Sequence, residues 1–342
     1  MEFSSSKMNL GPKSNEKEDY MSDPKALNEY KEKISTLPRR EGWMADQVYH
    51  YQGFWHNSSF LEGVMLAQEH FQPQPNDIIL SSFPKSGTTW LKALSFAIVT
   101  RSSFDVSTNP LLTTTPHKCV LSLESDLAHN SFHRNLDTPL IGTHVPYTSL
   151  PKSIIDSTCK IIFICRNPKD TFVSLWHFLG KVSMGVETEL ADFEKAFDLF
   201  CEGVSYVGPY WDTVLSYWKA SLESPEKILF LKYEDLKNET VFYVKKIAEF
   251  IGYHFSLEEE DNGMVQKIVD LCSFESLSKL EANKSGKLHV RDSIVPKNAY
   301  FRKGEIGDWK NHLTPMMATR LDKITEQKLG SYGFTFNVPS NA

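Results

Sequence analysis

The chain has no apolar run approaching the roughly 18 residues that a membrane-crossing helix requires; its longest, Ala93 to Val99, is far shorter. It also lacks the apolar centre of a secretory leader, because Met1 to Tyr20 is polar and carries charges of both signs. These absences point to a cytosolic protein, in which the glycosylation triplets at Asn57, Asn238 and Asn283 would have no use. Cysteine is scarce: Cys119, Cys159, Cys165, Cys201 and Cys272 stand singly, and no two share the spacing of a zinc or redox motif. Reduced, buried thiols are expected. Positive charge is not in excess either, since 37 Lys and Arg face 43 Asp and Glu. That excludes a chain-wide field for nucleic acid, so any anion site must be local.

What is present is a globular composition, 41% hydrophobic and 23% charged, over 342 residues, enough for a large core. Residues 1–28, rich in Ser, Lys, Glu and Asn without periodicity, read as a flexible tail, and 29–342 as one domain. Asp46 to Phe71 carries an apolar stripe at Phe60, Leu61, Val64, Met65 and Phe71 and reads as an amphipathic helix. Short apolar runs then alternate with helical stripes. The strand reading falls on Asp77–Phe83, Leu140–His144, Lys160–Cys165 and Lys227–Leu231. Helical spacing follows from Thr88, from Phe172 through Leu179, and from Val241 to Ile251, where Gly252 stops it. The fold class implied is α/β, a P-loop-like parallel sheet with helices on both faces. Asn283 to Asn298 has no convincing period and reads as a long loop, with a helix resuming from Trp309.

Between the first strand and its helix lies Phe83-Pro84-Lys85-Ser86-Gly87-Thr88-Thr89-Trp90. Backbone N–H groups at a helix start attract an anion, Gly87 permits close approach, and Lys85 adds charge. The lysine precedes the glycine, unlike the Walker A order, so a nucleotide kinase is the weaker enzyme reading. That reading would also want a magnesium-holding Asp at a strand end, where this chain has Cys165-Arg166. Arg166 suits a phosphate group, as does Arg302-Lys303, although solvated surface charge explains such clusters as readily. His144 ends a short strand just before Pro146, where it is a structural histidine or a general base.

Together these segments resemble the cytosolic sulfotransferase family, especially its plant hydroxyl-acceptor branch, from about Tyr49 to Phe336. The resemblance rests on Pro84–Trp90, on Arg166-Asn167-Pro168-Lys169-Asp170 through Ser174, on Lys232-Tyr233-Glu234-Asp235, and on Phe301 through Trp309. It implies 3′-phosphoadenosine-5′-phosphosulfate as co-substrate, no metal, and a small hydroxyl compound as acceptor. It further implies that Lys85, Ser86, Gly87, Thr88 and Thr89 cradle the 5′-phosphosulfate, Trp90 and Tyr233 border the adenine, and Phe274 stacks on it. Arg166, Ser174, Arg302, Lys303 and Gly304 would hold the 3′-phosphate. His144 would be the catalytic base and Lys85 would assist the leaving group. Two departures stand out. Gly142 occupies the place, two residues before the histidine, where many animal members have lysine. The dimerisation motif of animal relatives survives only at Lys310 and Thr314, with Pro315 and Thr319 in its other places, so a monomer or weak homodimer is expected. The aromatic stretches Tyr51–Trp55 and Tyr206–Trp211 are candidates for an acceptor pocket or for core packing.

Overall fold

The computed structural model describes residues 24–44, 47–127, 138–182 and 190–336. The first described element, α1 (Pro24–Ser35), runs across the boundary expected between tail and domain, and the rest of that tail lies outside the described residues. Three strands follow, β1 (Arg39–Glu41), β2 (Gln47–Tyr51) and β3 (Phe54–Asn57), antiparallel and in order. The helix expected from Asp46 therefore begins only at α2 (Ser58–His70). The alternation Val48, Tyr49, His50, Tyr51 suits a pleat, and Gln52-Gly53, both at positive φ, closes a two-residue hairpin. Asn57 caps α2 by accepting the N–H of Phe60 at 2.8 Å.

The central sheet is parallel. Its strands are β4 (Ile78–Ser82), β5 (Leu140–Thr143), β6 (Lys160–Cys165) and, after the short β7 (Val207–Gly208) that pairs with β3, β8 (Ile228–Lys232). They lie in the order β5-β4-β6-β8. Side chains alternate across the sheet. Ile161, Phe163 and Cys165 enter one core with Phe172 and Tyr217, whereas Ile162 and Ile164 enter another with Leu94 and Leu231. Both faces are thus covered, which is why β6 reads as an unbroken apolar run. Tyr210 and Trp211 are 1% exposed, so these two belong to the core rather than to an acceptor pocket. Cys119, Cys159, Cys165 and Cys272 are free and buried, and Cys201 is free and half-buried.

The connections carry α3 (Thr88–Thr100) after β4, then α4 (Pro116–Cys119) and α5 (Leu123–Leu127) before β5, α6 (Lys152–Ile155) before β6, and α7 (Pro168–Leu179) after it. The expected loop 283–298 instead contains a hairpin, β9 (Lys287–Val290) with β10 (Ser293–Pro296), turned at Arg291, whose φ is 52°. Pairing across a tight turn satisfied a backbone whose apolar pattern was too short to register as strands. The C-terminal helix also starts later than Trp309 suggested. Trp309 lies in a single 3₁₀ turn, Asp308–Asn311, and the α-helix is Pro315–Leu329, capped by Thr314 and opened by a proline that fits only at such a start.

One buried carboxylate ties α7 to the segment that follows the hairpin. Asp170, 1% exposed, accepts the N–H of Gly307 at 2.7 Å and that of Trp309 at 3.0 Å. Asp170→Ala strands both donors and is expected to cost about 2–4 kcal/mol, measured by denaturant unfolding. A loss below about 0.5 kcal/mol contradicts this linkage.

Candidate active site

Parallel strands present their carboxyl ends on one side, and each of the four is followed there by a polar group. Lys85 follows β4, His144 follows β5, Arg166 follows β6 and Tyr233 follows β8. The residues between β4 and α3 form a concave turn, with Lys85 at φ 68° and Gly87 at φ 115°. Lysine in that region is strained, a cost of order 1 kcal/mol or more that recurs where a backbone must be shaped for a ligand. Gly87 is obligatory on a second ground, because a Cβ there would lie 3.0 Å from Ile164 and from Tyr233. As the cap of α3 it supplies no side-chain acceptor, so the N–H groups of the first turn are left for a ligand.

A cavity of about 260 Å³ opens at this turn. Lys85, Gly87, Thr88, Thr89, Trp90, His144, Arg166, Ser174, Tyr233, Phe274, Arg302, Lys303 and Gly304 all line it. Ser86 does not: it is fully buried, and its Oγ lies 3.4 Å from Thr171 Oγ1. The segments were separated by up to about 200 residues in sequence, and the sheet gathers them in one place.

The electrostatics are those of crowded cations. Burial, with Arg166, Arg302 and Lys181 adding to it, lowers the Lys85 ammonium to about 7. Its Nζ lies 4.2 Å from the ring centre of Phe178, and among the described residues it has no ion pair. Arg166 stacks with its Cζ 4.5 Å from the Tyr233 ring centre, donates to the Glu305 carbonyl, and keeps a buried Nε without a partner. Arg302 and Lys303 each reach Asp308 at 2.6 Å. Burial alone would raise the Asp308 carboxyl, but hydrogen bonds from Lys303, Asn311 and Arg302 outweigh it and hold the group well below the usual range. Asp308 fixes the two cations, and the Nε of Arg302 stays unpartnered.

Aromatic groups close the other end. Trp90 and Tyr233 meet at 67° with ring centres 5.6 Å apart, and the Tyr233 hydroxyl donates to the Gly304 carbonyl at 3.1 Å. Gly304, at φ 66°, abuts Phe274; a Cβ would lie 2.5 Å from that ring. Flat rings at one end and cations at both sides form a cradle for a planar base carrying two anionic groups.

His144 faces this cavity with its protonation pattern set. Its Nδ1 donates to the Ser82 carbonyl at 2.7 Å, which leaves Nε2 as an acceptor. Its own N–H donates to Glu124 Oε1 at 3.0 Å, and Thr143 Oγ1 donates to Glu124 Oε2 at 2.8 Å. Burial lowers the His144 imidazolium, opposed in part by Glu124. Sequence reasoning missed Glu124, which reaches the site from α5, and His117, Phe178 and Tyr300. His117 stacks on Tyr300 with centres 4.0 Å apart and meets Thr89 Oγ1 at 2.9 Å. Nothing in their local sequence distinguishes them, since each acts through a tertiary contact.

The family model described as Sulfotransferase domain matches residues 75–333. The chain belongs to the sulfotransferase family. This sulfotransferase is 50% identical over 306 residues to a flavonol 3-sulfotransferase of Flaveria bidentis, covering 88% of this chain and 97% of that one. It is 47% identical over 317 residues to cytosolic sulfotransferase 16 of Arabidopsis thaliana, covering 90% and 93%. Among solved structures it is similar to an Arabidopsis thaliana candidate steroid sulphotransferase, with a TM-score of 0.72, 39% identity and coverage of 92% and 98%. The mouse sulfotransferase SULT7A1 complexed with PAP, which is adenosine 3′,5′-bisphosphate, aligns with a TM-score of 0.63 at 27% identity, covering 82% and 94%. The enzyme is a transferase of sulfuryl groups.

A bound polyanion would favour the charged form of Lys85, so its pKa rises on binding and protons are taken up. Titration with adenosine 3′,5′-bisphosphate at pH 8, in buffers of different ionisation enthalpy, is expected to show uptake of about half a proton or more, lost in Lys85→Met. Absence of uptake in the unaltered enzyme contradicts this account of the cavity.

Proposed function

We propose that this sulfotransferase moves the sulfuryl group of 3′-phosphoadenosine-5′-phosphosulfate to a hydroxyl of a small plant metabolite, of flavonoid, brassinosteroid, hydroxyjasmonate or desulfoglucosinolate type, in the cytosol. The observation that carries this reading is the His144 arrangement: Nδ1 is committed to the Ser82 carbonyl, and a buried ring therefore offers Nε2 as a base beside Lys85. The names of the relatives support the donor chemistry and a phenolic or steroid-like acceptor.

The donor, when bound, supplies an activated sulfuryl group whose sulfur–oxygen bond to phosphate breaks as the bond to the acceptor oxygen forms. His144 Nε2 takes the hydroxyl proton during attack. Lys85, which the negative charge of the bound donor keeps protonated, stabilises negative charge on the departing bridging oxygen. The first turn of α3, with Thr88 and Thr89, holds the 5′ end. Arg166, Ser174, Arg302, Lys303 and Gly304 hold the 3′-phosphate, and Trp90, Tyr233 and Phe274 border the adenine. This orientation leaves no step that needs a metal among the residues named.

His144→Ala is expected to lower kcat by about 10² or more, the ordinary worth of a general base, with binding of adenosine 3′,5′-bisphosphate within a factor of about 3. Turnover near that of the unaltered enzyme removes His144 from the reaction.

A further inference from the structure

Lys92 is 1% exposed and is not among the residues that line the cavity. Apolar neighbours would be the usual choice two residues after Trp90 on a buried helix face, so a lysine there needs a reason. Its stem runs across the face of β5 through a gap that exists because residue 142 is glycine. A Cβ on Gly142 would lie 2.5 Å from Lys92 Cε and 2.8 Å from Nζ. The ammonium then donates to the Val120 carbonyl at 3.0 Å and to Ser122 Oγ at 3.2 Å.

Those two acceptors belong to a segment laid alongside β5. Gly142 donates its N–H to the Leu121 carbonyl at 2.7 Å, and Ser122 bridges Gly142 in parallel. Ser122 leads directly into α5, whose Glu124 accepts from the backbone of His144 and from Thr143. A continuous chain of contacts therefore links the Lys92 ammonium, through Ser122 and Glu124, to the strand end that carries the base.

We propose that Lys92 is a positioning residue for sulfuryl transfer, a fixed positive charge admitted by Gly142 that offsets Glu124 and keeps His144 a neutral, correctly held base. It rests on the reading of His144 as that base. Glu124 anchors the strand end, but its negative charge also favours a protonated imidazole, which cannot accept a proton. The groups facing His144 are Glu124 from α5, Lys92 from α3, His117 from α4, Lys85 from the turn after β4, and the Ser82 carbonyl. Of these Glu124 and the carbonyl favour the charged ring, and Lys92 with Lys85 opposes it. Burial lowers both ammoniums, but Asp126 and Glu124 favour the charged form of Lys92, whereas Arg166 and Arg302 disfavour that of Lys85.

The test compares pH profiles of kcat for the unaltered enzyme, Lys92→Met, and the double variant Lys92→Ser with Gly142→Lys, which returns an ammonium from the strand. Loss of the positive charge makes His144 more basic, so Lys92→Met is expected to move the acid limb upward by about half a pH unit or more. Its kcat is expected to fall on the acid side of the profile, by up to about threefold for a half-unit shift, while binding of adenosine 3′,5′-bisphosphate stays within a factor of about 3. The double variant is expected to return the limb towards its original position. An acid limb present in the unaltered enzyme and unmoved in Lys92→Met overturns the proposal alone. An unaltered enzyme with no acid limb overturns the His144 reading and this proposal with it. If Lys92→Met does not fold, the double variant decides: a folded protein with the limb restored supports the proposal, whereas one with the limb displaced or activity absent, or one that also fails to fold, leaves Lys92 a purely structural ammonium and overturns it.

Discussion

Charge crowding in one buried cavity is the constraint on which the rest of the site depends. Burial, together with Arg166 and Arg302 held nearby, lowers Lys85 to about 7, yet Lys85 has no ion pair among the described residues. Such an arrangement is unfavourable in the empty protein and becomes favourable only when an anion enters. The scaffold supplies the force that maintains it. Asp170 clamps the segment bearing Arg302 onto α7, Asp308 fixes Arg302 and Lys303, and the parallel sheet sets the separation of Lys85 from Arg166. Remote packing is thus converted into electrostatic preorganisation, the property that favours a charged transition state over a solvated reactant.

Much of this was legible before any coordinates. The apolar run Lys160–Cys165 is reproduced as β6 with the same bounds, because a strand buried on both faces writes a continuous hydrophobic signal. The turn Pro84–Trp90 was readable as an anion cradle because its chemistry is local: glycine, a helix start and a lysine in sequence. Where the sequence misled, tertiary pairing decided. Phe54–Asn57 sits as a strand because β2 and β7 flank it, and Lys287–Pro296 pairs with itself across a turn too tight to announce a period. Glu124 and Lys92 were invisible for a related reason. Each lies on its own helix with no motif, and acquires meaning only from the strand end it supports.

Gly142 shows how a departure from a family pattern can be read physically. Taken alone, glycine there leaves the strand without a side chain just before Thr143 and His144. In the structure the missing side chain is the opening through which Lys92 reaches the same strand.

The central claim is that the cavity is built for a ligand with anionic groups at both ends, and the most direct measurement is calorimetric affinity for adenosine 3′,5′-bisphosphate set against adenosine 5′-monophosphate. On the proposed placement of the 3′-phosphate, loss of that group removes charge-assisted contacts to Arg166, Arg302 and Lys303, so the bisphosphate should bind at least about 10² more tightly. Equal affinities would contradict the account, because the cations around Gly304 would then hold nothing.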